Sequence, residues 1–256
     1  MERVSKRIGL LHLAPKVGQL QKNRSVIEVG TRLAASYGAD WVLSGELVVP
    51  GYRFEQLIGT SWITTEPDGW LARYALLAKE LGVAVFVNHP EKDGSSYFNT
   101  LFAIDATGTV RGRHRKICVT PVAEDWSTPG TDASPVTIDG VSVGMLICAD
   151  ASRPGIAMRL RELGAQVILS SAAWHPGEWG PAGEWEARSD EAQLPIIVCN
   201  RTGDDVGASF VDAPSVLVVG GRRIEEMTSK DPTLFMVELT LSPTETSLAL
   251  VDQRPL

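Results

Sequence analysis

Longer amphipathic segments and short apolar runs alternate along this chain. The amphipathic segments repeat apolar residues at helical spacing and are bounded by glycine or proline, so they predict helices at 19–37, 66–81, 154–163 and 183–193. The short apolar runs are typical of buried strands and lie at 8–13, 41–43, 83–87, 99–104, 109–115, 136–138, 141–147, 167–169, 196–199, 215–219 and 234–239.

The connections between the predicted strands are of two kinds. Turn residues at 105–108 and at Asp139-Gly140 join neighbouring strands as hairpins, whereas other strands are joined through helices. This combination indicates the α/β class, with mixed sheets covered by helices. The number of short strands favours two sheets packed face to face over one open sheet. No linker rich in Pro, Gly or Ser interrupts the pattern, so we expect residues 1–256 to form a single domain.

Composition and charge narrow the function classes. The chain of 256 residues is 44% hydrophobic and 21% charged, which is ordinary for a globular protein with a core. Its net charge of −7 argues against nucleic acid or an anionic membrane as the main partner. No apolar run approaches the ~20 residues of a membrane helix, and the first residues lack the features of a signal peptide. We therefore expect a soluble cytoplasmic protein, and the net charge carries no information about a small substrate.

Cysteine and histidine usage points the same way. The three cysteines, Cys118, Cys148 and Cys199, are odd in number and widely spaced, so they suggest neither a disulfide framework nor a CxxC metal site. The four histidines show no spacing typical of metal ligands or of a Cys-His pair. The sequence therefore predicts a reduced, cytoplasmic protein without a metal ion or cofactor.

Cys148 is the candidate nucleophile. It follows the apolar run 141–147 and precedes a predicted turn and helix, so backbone N–H groups after it can face a substrate. A thiol reacts as the thiolate, which nearby positive charge or N–H groups favour. Cys118 and Cys199 lack this position and are interpreted as small buried hydrophobic residues.

Two charged residues occupy comparable positions. Glu46 follows the buried strand 41–43 and Lys116 follows 109–115, and sites in open α/β sheets form where strands end. A glutamate between apolar runs is rarely buried without a partner. Alone, Glu46 is explained by a salt bridge or an exposed loop position, and Lys116 by a solvated cation. Together with Cys148 they predict a Glu-Lys-Cys hydrolase site that needs no histidine.

Short motifs surround these residues and continue in a fixed order to the end of the chain. They are Gly45-Glu46-Leu47-Val48-Val49-Pro50-Gly51-Tyr52, Phe98-Asn99-Thr100-Leu101, Gly112-Arg113-His114-Arg115-Lys116, Gly144-Met145-Leu146-Ile147-Cys148, Gly164-Ala165-Gln166-Val167-Ile168, Arg188 with Glu191, Asn200-Arg201-Thr202-Gly203 and Arg254-Pro255. No single motif is specific, but the ordered set resembles the nitrilase superfamily, also called the carbon–nitrogen hydrolase family.

The resemblance implies a fold and a set of catalytic roles. The family fold is a four-layer α-β-β-α sandwich whose monomers pair, so a homodimer or higher homo-oligomer is expected. By resemblance, Cys148 is the nucleophile that forms a thioester, and Glu46 is the general base. Lys116 and the backbone N–H of Ala149 stabilise the oxyanion. Glu124 matches a second glutamate, which orients the lysine and the substrate amide.

The substrate side of the site is less strongly marked. Trp174 matches a position that lines the substrate pocket in relatives, although a core aromatic after a strand also explains it. Tyr52 is a candidate of the same kind, and His175 is placed to hydrogen-bond a polar substrate or to cap a loop. Relatives that cleave nitriles usually carry Cys-Trp-Glu, whereas this chain carries Cys148-Ala149-Asp150. That difference points to the amidase branch.

Other departures from the family pattern alter the pocket walls. Leu43-Ser44-Gly45 stands where the family usually has Phe-Pro, which predicts a smaller and more flexible approach to the base. Ser152-Arg153-Pro154-Gly155 stands where the family usually has Arg-Phe-Pro-Glu. The predicted substrate is a small linear amide or ω-amide. An amide-forming acyltransferase that uses the same thioester remains open, as does a catalytically idle binding protein on the same fold.

Overall fold

Two β-sheets lie face to face between helices in the computed structural model, which describes residues 3–65, 68–120, 123–177, 180–205 and 207–256. In these residues the strands are β1 (Val4–His12), β2 (Trp41–Ser44), β3 (Ala84–Asp93), β4 (Ser96–Ile104), β5 (Val110–Arg115), β6 (Val136–Ile138), β7 (Val141–Ile147), β8 (Val167–Ser171), β9 (Ile196–Cys199), β10 (Asp204–Asp205), β11 (Ala208–Ser209), β12 (Ser215–Val219), β13 (Arg222–Met227), β14 (Thr233–Leu241) and β15 (Thr246–Pro255). The helices are α1 (Leu20–Ser36), α2 (Glu55–Ile58), α3 (Gly69–Leu81), α4 (Ile156–Glu162) and α5 (Glu184–Ala192).

The two sheets have similar mixed topologies. In the described residues the first sheet has seven strands in the order β15-β14-β1-β2-β3-β4-β5, and β1, β2 and β3 are parallel. The second has six strands in the order β13-β12-β9-β8-β7-β6, and β7, β8 and β9 are parallel. Each parallel centre is therefore flanked by antiparallel strands, as the predicted mixture of crossovers and hairpins requires.

Apolar side chains fill the spaces between four layers. One core lies between the two sheets and continues beneath α4 and α5, which cover the second sheet. A second core lies between the first sheet and the pair α1 and α3. Strand β1 shows how this follows from the sequence, because Ile8 and Leu10 belong to the first core while Leu11 belongs to the second. The α-β-β-α sandwich is confirmed.

The predicted helices and strands are present, with shifts at their ends. Helix α3 begins at Gly69, where the carboxylate of Asp68 accepts a hydrogen bond from Leu71 N at 2.6 Å and caps the helix. The predicted start of this helix, 66–67, lies outside the described residues. The segment predicted as a helix at 154–163 is helical only over α4, after a separate 3-10 turn at Cys148–Ser152.

Two long strands were missed by the sequence analysis. Strands β13 and β15 alternate buried or half-buried residues with exposed ones and end the two sheets, so their apolar content is low. An edge strand buries only part of one face, and its sequence therefore lacks the continuous apolar run that marks central strands. Among the helices of the described residues, none has the length and apolar character needed to cross a membrane.

Candidate active site

Glu46 lies between the two sheets at the end of β2. Its backbone N–H donates to Ala172 O at 3.0 Å, and its Oε2 accepts a hydrogen bond from Ala173 N at 3.0 Å. Both alanines follow β8 of the second sheet. The side chain has 0% of its surface exposed. The carboxylate is thus fixed from both sheets at once, as its position between two apolar runs predicts.

Gly45 is tightly packed rather than flexible. A Cβ atom at this position would lie 3.2 Å from Ala172 O and 3.4 Å from Asn200 O. A larger residue would therefore push the end of β2 away from the second sheet. The expectation of a more flexible approach to Glu46 was wrong, because the absence of a side chain serves close contact between backbones.

Lys116 follows β5 and points into the same space. Its Nζ lies 2.6 Å from Glu46 Oε1 and also forms an ion pair with Glu124. The lysine backbone is held on both sides, since its N–H donates to Asn99 O at 2.8 Å and its carbonyl accepts from Gly130 N at 2.7 Å. Only 2% of the lysine side chain is exposed, so its ammonium group is shielded from water.

Glu124 completes a buried cluster of charges. Its side chain is 0% exposed, and Thr120 N donates to its Oε2 at 3.3 Å. The Nδ2 of Asn99 donates to Glu46 Oε1 at 2.9 Å and to Glu124 Oε1 at 2.6 Å, so one amide bridges the two carboxylates. The structure therefore brings Glu46 together with Lys116 and Glu124, which lie 70 or more residues later in the sequence.

Asn99 and Asn88 were missed as members of this site. Asn88 Nδ2 donates to Asn99 Oδ1 at 2.8 Å, and Asn88 Oδ1 accepts from Leu47 N at 2.8 Å. Both asparagines are fully buried within β3 and β4. The signal was available, because an asparagine inside an apolar strand requires hydrogen-bond partners when it is buried. These amides link the loop after Glu46 to β3 and β4 of the first sheet.

Cys148 begins the 3-10 turn that follows β7. Its backbone has a φ of 44°, in the left-handed region that non-glycine residues rarely adopt. The charges of Glu46 and Lys116 both act on the pKa of its thiol, so the thiol lies within electrostatic reach of the buried cluster. The side chain is 7% exposed. The nucleophile candidate is thus almost buried and lies near the base candidate.

The electrostatics of the cluster favour a neutral thiol beside a basic carboxylate. Burial raises the pKa of the Cys148 thiol well above its usual value, and Glu46 adds to this effect while Lys116 opposes it. Burial also raises the pKa of Glu46, with Lys116 acting in the opposite direction. For Lys116, burial alone would lower the pKa, but Glu124 and Glu46 outweigh it and raise the pKa. The thiol therefore needs a base to react, and Glu46 is the carboxylate whose charge acts most strongly on it.

Helix α5 supports the turn that carries Cys148. Arg188 Nη1 donates to Ala151 O at 3.1 Å, and Glu191 Oε1 accepts from Gly155 N at 2.6 Å. The arginine and glutamate motif that the sequence analysis singled out therefore contacts both ends of the segment after the cysteine. Arg188 and Glu191 therefore hold this segment in place. They do so from the side of the second sheet that faces away from Lys116.

The predicted substrate-side residues fall into two groups. Burial, followed by the charges of Glu46 and Cys148, raises the pKa of Tyr52, so this ring is within electrostatic reach of the buried cluster. Trp174 lies 5.2 Å from Trp185, centroid to centroid, and its backbone exchanges hydrogen bonds with the side chain of Asn200. Trp174 is thus held in place by core contacts.

Ala149 and His175 border the site in different ways. Ala149 directly follows Cys148 in the 3-10 turn, and its carbonyl accepts a hydrogen bond from Ser152 Oγ at 2.7 Å. The contacts of His175 run along its own loop, because its Nδ1 lies 2.9 Å from Pro176 O. Its ring also lies 6.0 Å from that of Phe210, which packs against Tyr52 at 5.5 Å. Within the described residues, no group of three or more His, Cys, Asp or Glu side chains is arranged to hold a metal ion.

Comparison with known proteins identifies the family. The family model described as "Carbon-nitrogen hydrolase" matches residues 7–245, which is most of the chain. The chain belongs to the carbon–nitrogen hydrolase family. This family membership confirms the resemblance to the nitrilase superfamily that the ordered motifs indicated.

Two curated relatives match this chain at 26% identity. A glutamine-dependent NAD(+) synthetase from Thermotoga maritima is 26% identical over 97% of this chain and 44% of its own length. A nitrilase from Pyrococcus abyssi is 26% identical over 90% of this chain and 91% of its own length. The chain thus spans less than half of the first relative and nearly all of the second.

A solved structure shows the same fold. A mutant amidase from Nesterenkonia sp. AN1 superposes with a TM-score of 0.80 at 22% identity, and the match covers 92% of this chain and 90% of that chain. That structure shows covalent addition of the acetamide moiety of fluoroacetamide at the active site cysteine of the amidase. At this identity the superposition is evidence for the fold of the present chain.

Proposed function

We propose that this protein is a thiol-dependent amidase that cleaves a non-peptide C–N bond through Glu46, Lys116 and Cys148. One observation carries the proposal. A buried carboxylate, Glu46, lies 2.6 Å from Lys116 Nζ, and the almost buried thiol of Cys148 is close enough for the charges of both residues to act on its pKa. Nucleophile, base and cation thus lie together in a site that is shielded from water.

The first half of the reaction forms a thioester. Glu46 takes the thiol proton as Cys148 Sγ attacks the carbonyl carbon of the amide, and the carbonyl oxygen becomes an oxyanion. Lys116 and the backbone N–H of Ala149 stabilise that oxyanion. Glu46 then gives its proton to the amide nitrogen, the C–N bond breaks, and ammonia leaves. The acyl group remains on sulfur.

The second half returns the enzyme to its starting state. Glu46 takes a proton from water, the resulting hydroxide attacks the thioester, and a second oxyanion forms in the same place. When this intermediate collapses, the carboxylic acid leaves and Cys148 recovers the proton from Glu46. The pKa of Glu46, raised by burial, suits a group that must both accept and donate a proton near neutral pH.

Glu124 acts on the lysine rather than on the thiol in this proposal. Its carboxylate pairs with Lys116 and shares Asn99 with Glu46, so it fixes the direction of the ammonium group. Its pairing also keeps Lys116 charged despite burial. An uncharged lysine would donate a weaker hydrogen bond to the oxyanion.

We assign the substrate to small linear primary amides and ω-amides. Cys148 is 7% exposed, so only a small acyl group can reach it without rearrangement. The sequence Cys148-Ala149-Asp150 favours the amidase branch. The relatives agree in part, because one solved neighbour is an amidase while the curated relatives include a nitrilase and a glutamine-dependent synthetase.

A second candidate function follows from the match to the glutamine-dependent synthetase. That match covers 97% of this chain and 44% of the synthetase. The side chain of glutamine is itself a primary ω-amide, so the same site would release ammonia from glutamine. Glutamine therefore belongs in any substrate panel, beside simple amides. The panel also distinguishes two other outcomes. One is transfer of the acyl group to an amine instead of water, and the other is a binding function without turnover.

Ammonia release from a panel of amides, ω-amides including glutamine, carbamoyl compounds and nitriles tests the proposal. We expect release by the wild-type protein and its loss in Cys148→Ala, with Cys118→Ala as the matched cysteine control. Hydroxylamine added as an amine acceptor would reveal acyl transfer as a hydroxamate. A folded wild-type protein that releases no ammonia and whose Cys148 resists alkylation by iodoacetamide would overturn the proposed function and favour a binding protein.

A further inference from the structure

A buried carboxylate that the proposed mechanism does not use lies beside the site. Asp150 is 0% exposed. Its Oδ1 accepts hydrogen bonds from Ile117 N at 2.9 Å and Cys118 N at 2.8 Å. Its Oδ2 accepts from Ile147 N at 3.0 Å and lies 2.8 Å from His114 Nε2. Because an ionised carboxylate only accepts hydrogen bonds, the proton in the last contact belongs to His114.

These contacts bracket two of the proposed catalytic residues. His114 and Ile117 stand on either side of Lys116 in the sequence, and Ile147 and Asp150 stand on either side of Cys148. The lysine segment belongs to the first sheet and the cysteine turn to the second. One carboxylate thus joins the two segments across the space between the sheets, at the level of the active site.

We propose that Asp150, with His114, is a positioning residue that holds the Lys116 segment against the Cys148 turn. The inference rests on the proposed function. In that function the ammonium group of Lys116 must be placed correctly relative to the thiol of Cys148, and Asp150 maintains this placement. Asp150 touches neither the substrate nor the reacting atoms. It acts through the backbone on both sides of two residues that do.

The conformation of Cys148 explains why such a restraint is needed. Its φ of 44° lies in the left-handed region, which is unfavourable for a residue with a side chain. The hydrogen bond from Ile147 N to Asp150 closes the backbone immediately before this residue. The remaining contacts of Asp150 fix that closed turn to the lysine segment. A relaxed turn would move the thiol away from Lys116, and a shift of ~1 Å can cost about 100-fold in rate.

A carboxylate meets this requirement better than an amide does. N–H groups from three backbone positions and one imidazole converge on the two oxygens of Asp150. An asparagine offers one oxygen and one NH2 group, so Asp150→Asn would set a donor against at least one of these donors. Burial alone would raise the pKa of Asp150, but His114 and the backbone N–H groups outweigh burial and hold the pKa below its usual value.

Glu91, on β3 of the first sheet, offers a matched control. Glu91 is 1% exposed and accepts hydrogen bonds from Thr100 Oγ1 at 2.8 Å and Arg115 Nε at 2.9 Å. Like Asp150, it is a buried carboxylate that contacts β4 or β5 near Lys116, but its partners all belong to the first sheet. Glu91→Gln therefore reports the general cost of replacing a buried carboxylate in this region.

The experiment compares Asp150→Asn with Glu91→Gln in a Cys118→Ala background, which removes the half-exposed competing thiol. We measure kcat and KM with the best amide, the rate of Cys148 alkylation by iodoacetamide, and Tm. For Asp150→Asn we expect kcat to fall about 100-fold with KM within about threefold, and alkylation to change about tenfold. For Glu91→Gln we expect a lower Tm with kcat and alkylation rate within about threefold of the background protein.

Two further variants keep the test decisive if Asp150→Asn does not fold. His114→Gln retains an N–H donor toward Asp150 and should keep most of the kcat, whereas His114→Leu should lose about tenfold. Equal kcat in these two variants, or unchanged kcat and alkylation in folded Asp150→Asn, would overturn the positioning role. A loss of equal size in Glu91→Gln would also overturn it. Alkylation needs no substrate, so altered alkylation in a protein that hydrolyses no amide would count against the amidase proposal alone.

Discussion

Two clusters of acidic and basic side chains lie on neighbouring strands and differ in their access to water. In the active-site cluster, the side chains of Lys116 and Glu124 are 2% and 0% exposed. In the cluster at the edge of the first sheet, Glu91 is buried but its partners Arg115 and Arg113 are 23% and 46% exposed. The two clusters use the same kinds of charge within a few residues of each other.

In the proposed function, the difference in burial separates a reactive cluster from a structural one. In the edge cluster, water reaches the arginines and weakens their ion pairs with Glu91. In the active-site cluster, two carboxylates share one ammonium group in a space without solvent. Burial therefore raises the pKa of Glu46 although Lys116 opposes the shift. An excess of negative charge has little effect where water screens it, but in the interior it makes a carboxylate more basic.

The sharpest test of this comparison replaces the cation in each cluster. Lys116→Met would leave two buried carboxylates without their cation, and we expect a loss of about 3–5 kcal/mol in the free energy of unfolding. It would also remove an oxyanion donor, so kcat should fall by about 100- to 1,000-fold. Urea unfolding and steady-state kinetics measure the two effects.

Arg115→Met is the matched change at the sheet edge. Glu91 keeps a second cation, because Arg113 Nη1 lies 2.7 Å from its Oε1. We therefore expect a loss of about 1 kcal/mol in stability and a kcat within about threefold of the wild-type value. If Arg115→Met lowered kcat as strongly as Lys116→Met, the division into a reactive and a structural cluster would be wrong.

The second test changes the charge of the active-site cluster with almost no change in side-chain volume. Glu124→Gln removes one of the two carboxylates that share Lys116, and the like charge of Glu124 contributes to the raised pKa of Glu46. In the wild type, kcat/KM should fall as the pH falls through the raised pKa of Glu46, since the base must be ionised. In the variant, this acid limb should shift to lower pH, and kcat should fall about tenfold because the base is weaker and the lysine less well oriented.

The pH dependence of kcat/KM for both proteins checks this prediction. Glu91→Gln serves as the control, since it removes a carboxylate from the edge cluster and should leave the acid limb in place. An acid limb that stays at the same pH in Glu124→Gln would show that a group other than Glu46 controls it.

The sequence predicted the positions of the candidate catalytic residues better than it predicted the contacts between them. The places of Glu46, Lys116 and Cys148 at strand ends were readable, because Glu46 and Cys148 each follow an apolar run that marks a central strand and Lys116 follows the second strand of a recognisable hairpin. The bridging role of Asn99 and the contacts of Asp150 were not, because they depend on how the two sheets face each other. Edge strands β13 and β15 were missed for a related reason, since half of their residues face solvent. Local sequence patterns predict which residues are buried. Contacts between the two sheets become visible only in the assembled structure.

His12 extends the comparison to a buried group whose neighbouring charge is repulsive. It lies at the end of β1 with 0% exposure, and its Nδ1 is 3.0 Å from Ser215 Oγ. Burial, with a smaller contribution from Arg201, lowers the pKa of His12 from 6.5 to about 4. Here burial is not balanced by an opposite charge, so the ring stays neutral at pH 7, whereas Lys116 stays charged.

This shift predicts a modest loss of stability in mild acid. Below pH 6.5 the unfolded chain protonates His12 while the folded protein does not until about pH 4, so protons favour unfolding across that interval. Between pH 7.5 and 5.5 we expect His12 to account for about 1 kcal/mol of lost stability. Urea unfolding of the wild type and of His12→Gln at both pH values measures this, and the variant should lose less on acidification. An equal loss in both proteins would assign the acid sensitivity to other groups and leave the active-site cluster as the part of the molecule where burial controls protonation.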